Sequence, residues 1–160
     1  MDYRRWNRLR LGLLLGNIAL SGGVLLAAPQ AYAALGGDHA SIAADQAYLK
    51  ASLKLTSRPL YEVHELQLPT GTTVREYAAP DGAVFAIAWN GPAMPDLQQT
   101  LGTYFADYVE AARTSQQGHN HLAAVRADLV VQSTGHMRAF VGRAYLASAV
   151  PAGVSIDELR

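Results

Sequence analysis

Chemistry in this chain has to come from five histidines and a scatter of carboxylates and arginines, because there is no cysteine. That absence removes thiol enzymes, cysteine-ligated metal centres and disulfide-stapled scaffolds together. His119 and His121 stand two apart in a polar stretch opened by Gly118. In extended backbone that spacing puts both imidazoles on one side, as a two-point metal site requires. A third ligand would have to come from His39, His64 or His136. Two solvated loop histidines are the simpler reading, so neither a metal nor a cofactor is expected. His64-Glu65 begins like the zinc-protease helix motif, but the second histidine is replaced by Leu68 and the segment alternates like a strand. On that strand Glu62 and Glu65 fall on opposite faces and cannot act as a pair.

Nucleophilic catalysis finds little to work with. There is no Gly-x-Ser-x-Gly elbow, and Ser133 and His136 flank a hairpin turn. Asp107 and Glu110 lie on the polar face of a helix, with Glu110 placed to support Arg113. The stretch Gly91-Pro92-Ala93-Met94-Pro95 is too proline-locked to cradle a phosphate. A long C-terminal strand is more informative, since alternation sets Arg138 with Phe140 on one face and Arg143 with Met137, Val141 and Tyr145 on the other. An arginine among apolar neighbours needs an acidic or carbonyl partner, which Glu62, Glu65, Glu76 or Asp128 could supply. It fixes strand register in one reading and holds an anionic group in the other. Trp89, beside the rigid Asn90-Gly91-Pro92 turn, is either a core side chain or an anchor for a partner.

The elements that must position these residues follow from periodicity. Ser41 to Leu55 reads as a weak helix with Ser41 as its N-cap and Ile42, Leu49 and Leu53 as its stripe. Tyr61–Leu68, Thr72–Ala78 and Ala83–Trp89 read as strands, separated by turns at Pro69-Thr70-Gly71 and Pro80-Asp81-Gly82. The third of these strands is apolar on both faces and belongs in the middle of a sheet, with Phe85, Ile87 and Trp89 on one side and Val84, Ala86 and Ala88 on the other. Asp96, followed by Gln99, opens a helix running to about Ser115, with Leu97, Leu101, Tyr104, Phe105, Tyr108 and Ala112 on one face. After a polar loop from Gln116 to His121, strands at about Ala127–Ser133 and His136–Leu146 flank a Thr134-Gly135 turn. The expected fold is α+β: an antiparallel sheet of about five strands, one long amphipathic helix packed on one face, and a weaker N-terminal helix.

Ahead of this body stands a leader. Arg4, Arg5, Arg8 and Arg10 precede an apolar run from Leu11 to about Ala28, and Pro29 and the small-x-small triplet Ala31-Tyr32-Ala33 close it. That order predicts a signal peptide over residues 1–33, cleaved after Ala33. It leaves no membrane span, a mobile glycine-bearing arm over 34–40 and a single domain over 41–160. The whole chain carries 13 basic and 13 acidic side chains. The cleaved form is mildly acidic because four arginines leave with the leader, which argues against nucleic acid as a partner. A domain of this size buries roughly two-thirds of its unfolded surface and is stable without cross-links.

Ala34-Leu35-Gly36-Gly37, Thr73-Val74-Arg75-Glu76-Tyr77, the run Val84 to Pro92 and the run Gly135 to Leu146 resemble the exported bacterial family known as domain of unknown function 2844. The resemblance implies export and a single domain, and it brings no activity, cofactor or catalytic residue. The expected function is that of a periplasmic or secreted, non-enzymatic accessory protein that binds a protein or envelope component through a sheet face or strand edge. Trp89, His136, Arg138 and Arg143 are its candidate contacts. One alternative is a small metal-dependent or hydrolytic enzyme using His136 and Arg138 with a remote carboxylate. Another is a small-molecule binder using the alanine-lined face of the third strand.

Overall fold

Two glycines shape the first half of the sheet. Gly71 and Gly82 have φ of 86° and 88°, left-handed conformations that glycine adopts without steric cost. They close the two turns expected after Pro69 and Pro80. The strands they join, β2 (Glu62–Gln67), β3 (Thr73–Ala78) and β4 (Val84–Gly91), pair antiparallel as a meander. The structure, a computed structural model, describes residues 35–114 and 121–160, His121 by its backbone alone. The expected leader with its expected cleavage point, and the side chains of His119 and His121, lie outside the described residues.

The first helix is shorter than its composition suggested and starts earlier. α1 spans His39–Tyr48, and its N-cap is Asp38, whose carboxylate accepts from the amides of Ala40 and Ser41. Ser41 is buried inside the first turn instead, donating its hydroxyl to the Asp38 carbonyl at 2.7 Å. Lys50, at φ 52°, ends the helical path. The residues after it form an additional strand, β1 (Ser52–Ser57), paired antiparallel with β2 so that Leu53 faces Leu66 and Leu55 faces His64. Ahead of α1, Leu35 is buried, and Gly36 and Gly37 exchange backbone hydrogen bonds with Val84 at 2.8 and 2.9 Å. This part of the expected arm therefore lies against the sheet.

The long helical run from 97 to 114 is present, capped as expected by Asp96 on the Gln99 amide at 3.1 Å. It is not one continuous coil. Gly102, with φ 51° and ψ −121°, separates α2 (Leu97–Leu101) from a 3₁₀ turn (Gly102–Tyr104) and α3 (Phe105–Thr114). The break shifts the phase of the buried stripe, so Ala111 is buried and Ala112 faces out.

A second meander follows: β5 (His121–Arg126), β6 (Leu129–His136) and β7 (Ala139–Leu146). β7 lies beside β4, giving one antiparallel sheet of seven strands in the order β1-β2-β3-β4-β7-β6-β5. The sheet thus exceeds the expected five by β1 and β5, the two edges. The last turn is Met137-Arg138, with Arg138 at φ 62°, and not Thr134-Gly135. Gly135 serves another need, because a Cβ there would collide with the Phe140 ring across the pair at 2.7 Å.

β4 is central and apolar on both faces, as its sequence required, yet it does not alternate throughout. A bulge pairs Tyr77 with Ala86 and Ala78 with Val84, leaving Phe85 as the extra residue. Val84 therefore joins Ile87 and Trp89 on the helix side, and Phe85 joins Ala86 and Ala88 on the other. The helix side buries Ile42, Leu66, Val74, Leu97 and Leu101 with them. The opposite side is covered by the C-terminal segment, whose Leu159 is 1% exposed among Tyr61, Tyr77 and Phe85. The alanine face of β4 is thus filled by the chain's own tail.

Candidate functional site

Strand alternation places Glu62 and His64 on the same face of β2, and α1 delivers His39 to meet them. The Asp38 cap fixes the chain where it enters α1, so His39 stands at a defined position at the helix start. From another direction the turn residue Gly82 approaches the imidazole: a Cβ there would lie 2.9 Å from His39 Nδ1. His39 Nε2 is 3.2 Å from Glu62 Oε2, and His64 Nε2 is 3.6 Å from the same oxygen. The two rings meet edge-on with centroids 5.4 Å apart. One ligand atom from each of the three residues lies within 4.8 Å of the others.

The three side chains differ sharply in exposure, at 56% for His39, 36% for Glu62 and 7% for His64. The hydrogen bond from His39 holds the Glu62 carboxyl below the usual carboxylate range. Burial, helped by the neighbouring His39, pushes the His64 imidazole down towards its neutral form. Among the described residues neither ring nitrogen of His64 has a hydrogen-bond partner, although both are shut off from solvent. Two imidazoles and a carboxylate converging in this way can ligate a divalent cation or pass a proton between rings across Glu62.

Directly behind this cluster lies a second one. Glu76 faces His64 across the β2–β3 pair, fully buried, and neither carboxyl oxygen meets a donor. Asp45 of α1 stands beside it, and its carboxylate accepts from Gln99 Nε2 at 2.6 Å. Two acceptor-only carboxylates satisfy each other only when one holds a proton. Burial first and the Asp45 charge second push Glu76 up to about 9, so it is the protonated partner at neutral pH.

The residues singled out in the sequence lie elsewhere. Trp89 is 1% exposed in the core on the helix side, its indole packed on Gly142. His136 and Arg138 are exposed at the β6–β7 turn, and among the described residues no carboxylate pairs with either. Arg143 fastens the C-terminal segment: it donates to Gln132 Oε1 at 2.7 Å and to the Ile156 carbonyl at 2.5 Å, with Asp157 at 3.7 Å. Its partners are thus an amide, a carbonyl and a tail carboxylate, and not the sheet carboxylates expected. Beside it opens a hollow of ≈ 270 Å³ that Asn90, Thr134, Val141, Leu159 and Arg160 also line.

The His39–Glu62–His64 convergence was not read from the sequence, where His39 and His64 were considered only as remote ligands for His119 and His121. Alternation along β2 does imply a glutamate and a histidine on one face. Nothing local linked His39 to β2, because Glu62 lies 23 positions further on, past the rest of α1 and the additional strand β1. The same additional strand leaves an open flank. Among the described residues β1 pairs only with β2, all its residues but Thr56 are exposed, and Leu53 and Leu55 are 40% and 52% exposed. At the opposite edge, β5 has α3 packed against it.

Residues 31–159 match the family model described as "Protein of unknown function (DUF2844)". No curated protein and no solved structure is matched. Among the described residues, no helix is long and apolar enough to cross a membrane.

Proposed function

The chain belongs to the DUF2844 family, and on that premise we propose that it is an exported, non-enzymatic accessory protein that takes up an extended segment of another envelope polypeptide along β1. The observation that carries this reading is the β1 edge, which no other described strand pairs, with Leu53 and Leu55 exposed on its helix side. An edge strand offers a row of unpaired amides and carbonyls to an incoming strand, and alternate apolar side chains supply the contact. Lys54, on the other side of the strand, is the type of residue that restrains indiscriminate edge pairing. The Arg-rich, apolar and Ala-Tyr-Ala order of residues 1–33 supports export with cleavage after Ala33, to the periplasm or beyond. Balanced charge supports a partner other than nucleic acid.

Two experiments test the reading. Fractionation of cells making the tagged chain should place it outside the cytoplasm with Ala34 at its N-terminus; retention of the intact chain in the cytoplasm contradicts export. Affinity capture from an envelope extract should recover one partner in stoichiometric amount with the wild-type chain and lose it with Leu53→Asp/Leu55→Asp. Recovery of nothing, or capture indifferent to those two changes, rules out the β1 edge as the working surface. A concentration-dependent dimer abolished by the same changes would show instead that the edge is used by a second copy.

A further inference from the structure

His64 is an anomaly. A buried imidazole with two unpaired nitrogens is costly, since each polar atom has given up water without a replacement partner. Glu62 Oε2 stands 3.6 Å from its Nε2, just beyond hydrogen-bond distance. An electron-pair acceptor placed between the three residues would engage the lone pair of one His64 nitrogen.

Two of the three separations suit such an acceptor, and all three ligand atoms lie within 4.8 Å of one another. Tetrahedral zinc takes nitrogen and oxygen ligands at about 2.0–2.2 Å, which sets those ligand atoms roughly 3.3–3.6 Å from one another. The Nε2 to Oε2 separations here are 3.2 Å for His39 and 3.6 Å for His64. Calcium and magnesium prefer oxygen-only sets, so two imidazoles select the transition metals. The ligands also rest on fixed supports: Glu62 and His64 on a strand paired on both sides, His39 between the Asp38 cap and Gly82. We propose that His39, Glu62 and His64 form a three-ligand centre for a divalent transition-metal ion of the zinc class, its remaining coordination position turned toward solvent on the His39 side. The ion would tie the start of α1 to β2. This inference is independent of the β1 reading, and either can fail without the other.

The test uses the purified protein, stripped with a chelator and then titrated with zinc or cobalt alone. Zinc should bind with one equivalent in competition with a chromogenic chelator and raise the melting temperature. Cobalt should show the intense visible bands of tetrahedral coordination. Glu62→Gln and His39→Ala, at side chains 36% and 56% exposed, should each weaken zinc by at least about tenfold and abolish the cobalt bands, with the metal-free melting temperature held near wild type. His64→Ala should do the same where it folds. His119→Ala/His121→Ala should leave binding intact. Absence of saturable binding overturns the proposal. So does zinc affinity unchanged in both Glu62→Gln and His39→Ala, or lost only in the His119/His121 double variant.

Discussion

Glu76 is the residue whose protonation is most altered by the fold. Its carboxyl ionises near the ordinary 4.5 in the unfolded chain and at about 9 when buried beside Asp45. Between those values the folded protein keeps a proton that the unfolded chain has released. Stability is therefore full below the lower value and falls as pH rises toward the upper one. Glu76→Gln, which needs no proton to stay neutral and offers Asp45 an amide donor, should stabilise the protein at pH 7 by up to about 3 kcal/mol. It should also flatten the decline between pH 5 and pH 8, as read by urea unfolding at each pH; equal slopes in the two proteins would contradict the shared-proton account. Gly142 shows the opposite sensitivity. Its missing Cβ is the space the Trp89 indole fills, so Gly142→Ala should cost about 1–3 kcal/mol through overpacking, with a shift in tryptophan fluorescence as a second readout. Trp89 and Arg143 were legible in the sequence as residues of consequence, but their neighbours were not. The core surrounds the first and the tail engages the second, and both arrangements are long-range.

At the scale of elements, local signals succeeded where one residue type had one job. Gly71 and Gly82 closed the turns their dipeptides announced, and Asp96 capped the helix it preceded. They failed where a residue served a distant neighbour. Gly135 was read as a turn residue, whereas it makes room for Phe140, and the turn passed to Met137-Arg138. Leu49 and Leu53, four apart, suggested a longer first helix, although Lys50 turns the chain and Leu53 belongs to a strand. Ser41 was read as the N-cap that Asp38 provides. Asp38→Ala should accordingly destabilise the protein by about 1 kcal/mol, measured by chemical denaturation, whereas Ser41→Ala should leave the cap itself in place. Because Asp38 also sets where His39 stands, the same variant should weaken zinc binding at the proposed centre. Unchanged stability in Asp38→Ala would remove the cap from the account of α1.

The described residues form three layers: helices, a seven-stranded sheet and the C-terminal segment on the far face. The tail is held by side chains reaching up from the sheet. Tyr77 donates its hydroxyl to the Arg160 carbonyl at 3.1 Å, Arg75 reaches the same carbonyl at 3.2 Å, and Arg143 grips Ile156. Leu159, sealed among Tyr61, Tyr77 and Phe85, is the plug of that layer. Leu159→Ala should cost about 2–5 kcal/mol and expose the alanine face of β4 to an apolar dye; a melting temperature equal to wild type would show the tail to be dispensable.

Periodicity, turn dipeptides and caps determined the fold class, the central place of β4, most of the strands and the helical run from 97 to 114, because each depends on residues only a few positions apart. Export, too, is argued from local order alone, in the leader. Tertiary structure decided the two edge strands, the bulge at Phe85, the tail packed over the second sheet face, and the meeting of His39 with Glu62 and His64. Those depend on segments far apart in the chain being brought together by burial of apolar surface, which is non-directional and leaves no spacing in the sequence to read.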